Sequence, residues 1–481
     1  MRVALIIPPY RYLNRFALRT EPLGVEYLAS FLRKHGHEIL IFDASLVISP
    51  EKLNHSCFYY GLKDHTIKET VRRFAPDVVG ISCYYNFNAQ DAYKVAVLVK
   101  EVSPKIITVM GGVYPSIYKQ KILKDCGAID YAVVGEGEQS FLSLLSNLNT
   151  KAIRDIEGLL YRQNNEIVYN EKSSFIDDPG ELPRPARDLH DITRYMNSKT
   201  VLYGLGDRPT LSLLTSRSCP KRCTFCNMWQ TQGPDWRFRS PENVLEEIDE
   251  IVNKYKAQHV FIMDDNFNLD PQRVKVICEG IIKRGYRFKW NTPNGISVKN
   301  INGELAVLMK RAGCVNVCLG IESGSEYIRN RIMKKNVSNQ DIESTVKHFR
   351  KAKIPVGALL IIGMPGETRE YFKESIKFLK SLPLSFVSPS FAIPFRGTML
   401  YNNLIRNNII TEDFDVGMDN LKFPVFTTPD FDRDELLNRR RELIAGFYLS
   451  HLPLTLTELM TGRLTWTSLS MLKRNYLELL N

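Results

Sequence analysis

Residues 215–229 read TSRSCPKRCTFCNMW, with Cys219, Cys223 and Cys226 in a C-x3-C-x2-C spacing. Thiolates are the preferred protein ligands of iron–sulfur clusters. Three of them this close fit three corners of a cubane 4Fe–4S cluster, and no fourth cysteine follows nearby. One iron then keeps an open position for a substrate or cofactor. Structural zinc usually takes four ligands in paired C-x2-4-C units, and no second pair completes such a site. A disulfide framework fits no better, because nine cysteines in 481 residues are sparse and odd in number.

Downstream of this loop, apolar strands alternate with amphipathic helices. LSLLTSRSC is followed by a helix with Ser240 as cap and Pro241 at its first position. HVFIMDD, RFKWNTPNG, VNVCLGIES, PVGALLIIGMPGE and LSFVSPSFAIPFRGT then read as strands, each separated from the next by a helix. Six such units predict a partial (β/α)6 barrel over 206–404, with its active site at the carboxyl ends of the strands.

Upstream, VALIIPP, EILIFDA, DVVGISC, IITVMGG and DYAVVGEGE alternate with helices such as PLGVEYLASFLRKHG, which stops at Gly36. This predicts a doubly wound, Rossmann-like parallel sheet over 1–148. Ligands of such sheets bind at the strands' carboxyl ends. The fold class is therefore α/β throughout, with a proline-rich connector over 149–205 and a helical region over 405–481. The connector contains a hairpin turning at Asn164-Asn165 and the irregular stretch DDPGELPRPARDL.

The composition is 44% hydrophobic and 24% charged, ordinary for a globular chain. The first residues read as a strand rather than an export signal. No apolar run approaches the ~18 residues of a membrane span, so a cytoplasmic protein with reduced thiols is expected. The net charge of +11 permits anionic partners, but no nucleic-acid module is present. Arg439, Arg440 and Arg441 read as a solvated helix face. The last stretch, LTWTSLSMLKRNYLELLN, is amphipathic and basic. It is expected to pack on the barrel, with peripheral membrane contact as the second expectation. Cys57, Cys83, Cys126, Cys278, Cys314 and Cys318 read as buried apolar residues.

The cluster motif and the strand ends after it resemble the radical S-adenosylmethionine (SAM) superfamily. In that superfamily the open iron binds the amino and carboxylate groups of SAM. An electron from the cluster then cleaves SAM to a 5′-deoxyadenosyl radical. The resemblance implies that Phe225 shields the cluster. It implies that Asp264, Asp265 and Asn266, in Met263-Asp264-Asp265-Asn266-Phe267, meet the SAM amino group. In LGIESGSE it places Glu322 and Ser323 at the ribose or amino-acid part, and in GMPGET it places Gly363 near the adenine. Glu367 and Thr368 belong to the start of the next helix, and Arg396 reads either as an anion-binding group or as a surface arginine.

PLGVEYLASFLRKHGHEILIFDA, VVGISC, GGVYPS and VVGEGE resemble the cobalamin-binding domain of one branch of these enzymes. That branch includes the anaerobic magnesium-protoporphyrin ester cyclase and cobalamin-dependent methylases. The resemblance implies cobalamin contacts from Pro8, Pro9, Ser82, Tyr84, Gly111, Gly112, Val113, Gly135, Glu136, Gly137 and Glu138. The D-x-H-x-x-G motif is absent, since His65 directly follows Asp64. Either cobalamin binds without a histidine ligand, which is the expectation, or the domain keeps the fold alone.

The expected function is reductive SAM cleavage followed by cobalamin-dependent C-methylation of an unactivated carbon. Radical cyclisation, rearrangement or carbon–carbon coupling on a lipid or tetrapyrrole is the alternative. A non-catalytic iron–sulfur or ligand-binding sensor is the reading from another class. The implied partners are a small-molecule or lipid substrate and an electron donor such as flavodoxin or ferredoxin.

Overall fold

The structure is a computed structural model that describes residues 1–13, 20–47, 49–54, 57–148, 150–196 and 208–461. The basic amphipathic stretch over 464–481, and part of the expected connector, lie outside the described residues.

The N-terminal sheet comprises β1 (Arg2–Ile7), β2 (Glu38–Asp43), β3 (Val78–Ser82), β4 (Ile107–Gly111), β5 (Tyr131–Val133), β6 (Leu159–Gln163) and β7 (Glu166–Tyr169). Their spatial order is β7-β6-β5-β4-β3-β1-β2. The strands β1 to β5 are parallel. Val3 and Leu5 pack with Ala29, Leu32 and Phe141 on one face. Ala4 and Ile6 pack with Ile67, Val71 and Ala92 on the other. This is the period-two burial of a strand covered on both sides. The strand order reverses between β1 and β3, the switch point at which such sheets bind ligands.

The hairpin expected in the connector belongs to this sheet instead, because β6 pairs antiparallel with β5 and covers its open edge. Asn164 and Asn165 both take positive φ at its turn, as a two-residue hairpin requires. A small three-stranded sheet, Tyr10–Tyr12, Glu51–Lys52 and Phe58–Tyr60, carries no strong sequence signal.

The second sheet holds β8 (Thr210–Leu213), β9 (His259–Ile262), β10 (Lys289–Ile296), β11 (Cys314–Glu322), β12 (Val356–Ile362) and β13 (Phe386–Phe391). They lie in sequential order, all parallel, the expected six-stranded partial barrel. Ser240, Asp270, Asn302, Ser338, Thr368 and Thr398 each cap the helix that follows them with a side-chain oxygen. Val317, Leu319 and Ile321 pack under the helices. The alternation therefore turns Asn316, Cys318 and Glu322 into the lumen.

The helix Arg433–Met460 packs Leu436, Leu443, Ile444 and Phe447 against the barrel. By length and composition it could cross a membrane, contrary to the expectation from continuous apolar runs. Its hydropathy is an average over leucines interspersed with polar residues. Ahead of it, the segment around 411–422 reaches back to the first domain. Asn86 Nδ2 donates to the Val416 carbonyl at 2.7 Å, and Tyr118 bonds Asp415. Arg396 is held here too. Its guanidinium lies over the rings of Tyr118 and Tyr401 and donates to the Glu412 carbonyl, so it braces this strap rather than offering a free anion site.

The proline-rich stretch before residue 190 is no loose linker. Arg187, fully buried, meets Glu21 of the first domain at 2.8 Å and Glu247 of the first barrel helix at 2.9 Å. It also donates to the Ser212 carbonyl of β8 at 2.9 Å. Arg239 adds a second cation to Glu247 at 2.5 Å. Arg217 and Arg237 of the barrel grip Glu136 and Glu138 of the first domain.

Burial disfavours the charge of Glu136 and Glu247, but their arginines outweigh it and hold both below the usual glutamate range. With folded values below the unfolded ones, these carboxylates add stability that is complete above ~4.3. It is lost as pH falls through the lower folded values. Thermal melts of the apo protein should therefore soften below pH ~4. Arg187→Met should cost about 3–5 kcal/mol, because it strands two buried carboxylates. The matched Glu21→Leu/Arg187→Met/Glu247→Leu variant should recover most of that loss in chemical denaturation.

Candidate functional site

The chain leaves β8 at Leu213 and enters the cysteine loop almost at once. Asp264, just past β9, fixes the start of that loop. Its carboxylate accepts bonds from Thr215 N at 2.6 Å, from the Thr215 hydroxyl and from Ser216 Oγ at 2.6 Å. Both oxygens are used inside the protein, so Asp264 positions the loop rather than facing the cavity.

Cys223 is buried, Cys219 and Cys226 are half-buried, and all three are free thiols. No three His, Cys, Asp or Glu among the described residues converge tightly enough to hold a single metal ion. Burial pushes the Cys223 thiol up and the Cys226 thiol to about 11. The thiolate form must then come from bound iron, which deprotonates coordinating thiols outright. The donor set and its enclosure fit a 4Fe–4S cluster.

Around the cysteines, Asn266 points its amide Nδ2 at Cys219 Sγ, 3.7 Å away, while its own Oδ1 is buried without a partner. Asp265 is mostly enclosed. Burial and then Asp264 push its carboxyl to about 7, against a bond from Gln232. Glu322 takes a positive φ of 65° at the end of β11 and meets Lys335 Nζ at 2.5 Å. Burial opposes the charge on Lys335, but Glu322 and then Cys223 raise its pKa above the ordinary value. Phe225 packs against Met333 and Met364.

Other expected contacts are turned inward. Ser323 Oγ lies 3.1 Å from Ser375 Oγ, in the packing under a helix. Gly363 adopts φ 80°, and its N–H donates to the buried carboxylate of Glu367 at 2.7 Å. Glu367 thus shapes the turn, and burial raises it to about 7.

Facing the cysteine loop is a cleft of about 530 Å³ at the carboxyl ends of β1, β3 and β4. Ser82, Tyr84, Gly111, Gly112, Val113, Gly135, Glu136, Gly137 and Glu138 all line it, with Arg217, Thr231 and Gln232 from the barrel. Pro8 and Pro9 are buried outside this lining. The floor is apolar, formed by Leu5, Val109, Val133 and Phe141 beside Gly80. A Cβ on Gly80 would stand 2.7 Å from Leu5 Cδ2, so glycine keeps that floor open. Gly112 has φ 110°, and a Cβ there would meet the Cys83 carbonyl oxygen at 2.5 Å. At Gly111 and Gly137 a Cβ would meet nothing within 4 Å. Its glycine rim and apolar floor fit part of a large, partly apolar cofactor such as cobalamin, and among the described residues its lining holds no histidine.

Tyr84 joins the two halves. More than half of its surface is exposed, and it lines the cleft while Asp265 and Cys226 of the cysteine-loop side lie among its charged neighbours. Lys335, Arg217 and Gln232 were not legible as site residues. Lys335 stands in the run RIMKKNVS, where nothing in the pattern separates it from Lys334. Only the return of the chain beside β11 brings it to Glu322.

A family profile described as the radical SAM superfamily matches residues 213–379, and one described as a B12 binding domain matches residues 12–145. An uncharacterized methyltransferase of Pyrococcus horikoshii is 30% identical over 456 residues, covering 93% of each chain. The anaerobic magnesium-protoporphyrin IX monomethyl ester cyclase of Cereibacter sphaeroides is 25% identical over 464 residues, covering 93% of this chain and 70% of the cyclase. Among solved structures, the radical SAM methyltransferase TsrM of Kitasatospora setae, with cobalamin and a 4Fe–4S cluster bound, superposes with a TM-score of 0.68 at 16% identity. It covers 93% of this chain and 88% of TsrM. The chain belongs to the radical SAM superfamily and is an enzyme of its B12-binding branch, with a 4Fe–4S cluster, SAM and cobalamin as cofactors.

Proposed function

We propose that Cys219, Cys223 and Cys226 hold the cluster, that Glu322 and Lys335 bind SAM beside it, and that the enzyme C-methylates a small-molecule substrate. The observation that carries this is the Glu322–Lys335 pair at the end of β11, together with a cleft lined jointly by the strand ends of the first domain and by Arg217, Thr231 and Gln232 around the cysteine loop. When bound, the cluster supplies the electron that breaks SAM and cobalamin supplies a carrier for a methyl group.

Lys335 offers an ammonium to the SAM carboxylate, and Glu322 accepts from its hydroxyls or its amine. Asp265, facing the same space, offers a second acceptor for the SAM ammonium. Asn266 donates toward the sulfur of Cys219 and so tunes the cluster. Phe225 and its methionine neighbours keep water from the reacting atoms. On the other side, the glycine rim and the apolar floor of the cleft would hold cobalamin by shape. Methylation is favoured over cyclisation by the likeness at 30% identity to a methyltransferase. An external electron donor is required for the cleavage.

Anaerobically reconstituted enzyme should carry about four irons and release 5′-deoxyadenosine from SAM, and Cys223→Ala should lose both. With cobalamin loaded, S-adenosylhomocysteine should also form. Deoxyadenosine without it would favour the cyclase-type chemistry. Lys335→Met should keep its iron yet raise KM for SAM by roughly tenfold or more, with Lys335→Arg recovering part of the loss. Gly111→Leu, whose Cβ enters open space, should keep iron and fold but lose the visible spectrum of bound cobalamin.

A further inference from the structure

The helix Arg433–Met460 is inside out over its second half. As far as Phe447 it buries apolar residues against the barrel, with Leu436, Leu443 and Ile444. Beyond that point the residues it buries are polar, namely His451, Thr455 and Glu458. Each is satisfied where it lies. His451 Nε2 meets the Leu382 carbonyl at 2.7 Å, and Thr455 Oγ1 donates to the His451 carbonyl at 3.1 Å. Glu458 pairs with Arg350 and accepts from Ser385 Oγ at 3.0 Å. The large apolar side chains stand outside instead. Leu449 is 77% exposed, Leu452 53%, Leu456 48% and Met460 87%. Spaced three or four residues apart, they share one side of the helix. The stripe runs for ~17 Å at the usual helical rise. A contiguous exposed apolar stripe marks a contact surface.

Cations border this stripe. Two turns before Leu449, Arg441 is exposed on the same side of the helix. Its neighbour Arg440 is instead turned in over the ring of Phe391 at 4.3 Å, so the expected solvated arginine face is divided. Lys380, exposed in the last turn of the helix Arg369–Ser381, lies against the same helix. A Cβ on Gly446 would stand 3.1 Å from its Nζ. Neither Arg441 nor Lys380 pairs with a carboxylate among the described residues. The sequence that follows, 462–481, has the same bias. It carries Arg463, Lys473 and Arg474 against Glu478, with Trp466 and Tyr476 among them.

We infer that this stripe docks the protein on an anionic phospholipid surface, with the helix lying in the plane of the headgroups. The leucines and Met460 enter the acyl boundary, while Arg441 and Lys380 meet lipid phosphates. Long cationic side chains can bury their stems and keep their charge at that level. The helix lies on the surface rather than crossing it, because His451 and Glu458 tie its inner side to the barrel. Those ties are made at Leu382 and Ser385, just ahead of β13. The docking face is therefore at the amino ends of the barrel strands. The cysteine loop and the cleft, at the carboxyl ends, stay clear of it. A second copy seated on the stripe would bring like cations toward each other, which disfavours that occupant.

Flotation of the full chain with vesicles tests this. Vesicles of phosphatidylglycerol and phosphatidylcholine in equal parts should carry the wild type. Phosphatidylcholine alone should carry about tenfold less, and salt should narrow the difference. Leu452→Glu/Leu456→Glu should lower binding to the anionic vesicles about tenfold or more. Lys380→Glu/Arg441→Glu should abolish the preference for anionic over neutral vesicles. Both variants should keep the wild-type circular dichroism and the dithionite-driven release of deoxyadenosine. A wild type that stays off the anionic vesicles overturns the inference, as does undiminished binding of the leucine variant. A wild-type dimer in light scattering that the leucine variant breaks also overturns it, since a second copy would then own the stripe. So does a leucine variant that melts well below wild type without lipid, because the chain itself would then cover the stripe.

Discussion

Four arginines and their carboxylates, all withdrawn from water, decide where the first domain sits over the barrel. Arg187 alone touches the first domain through Glu21, the first barrel helix through Glu247 and the first barrel strand through Ser212. Arg217 and Arg237 repeat the arrangement at Glu136 and Glu138. Buried ion pairs are weak sources of stability against well-packed apolar alternatives. Their value here is geometric, because a shifted domain would leave charges buried and unpaired. The pairs at Glu136 and Glu138 lie on the very loop that lines the cleft. The bonds that orient the domain therefore also set the rim that faces the cysteines.

That constraint suits radical chemistry. A reactive intermediate must meet its target without meeting solvent, so the two cofactor sites need a fixed separation and a closed surround. The strap around 411–422 works to the same end from the other side, tying Val416 and Asp415 to Asn86 and Tyr118. Arg396 belongs to this strap. Its stacking between two tyrosines holds the end of β13 to the first domain.

Most strands and their order could be read from alternating apolar segments, because parallel strands covered on both faces are continuously apolar. The cap residues at Ser240 and Asp270 were equally plain, since each side chain bonds only to its own helix. Long-range partnership was not. Arg187 sits in DDPGELPRPARDL, whose prolines signal an irregular backbone and say nothing about burial. Its partners are 166 residues before it and 60 residues after it in the chain. Lys335 was hidden for the same reason. Asp264 has a role that the spacing did not show. Its place at a strand end marked it as a site residue, but its carboxylate is consumed by Thr215 and Ser216.

The missing histidine motif takes on a different meaning in this light. A cobalamin domain that uses a histidine below the metal must reserve a loop for it at the end of the first strands. At the carboxyl end of β3 this chain sets Ser82 and Tyr84 in the cleft wall. Cys83 is buried behind it, with its carbonyl against Gly112. The domain has thus kept the glycine rim and the apolar floor, which grip a cofactor by shape. It gives the remaining face to contact with the barrel, where the chemistry takes place.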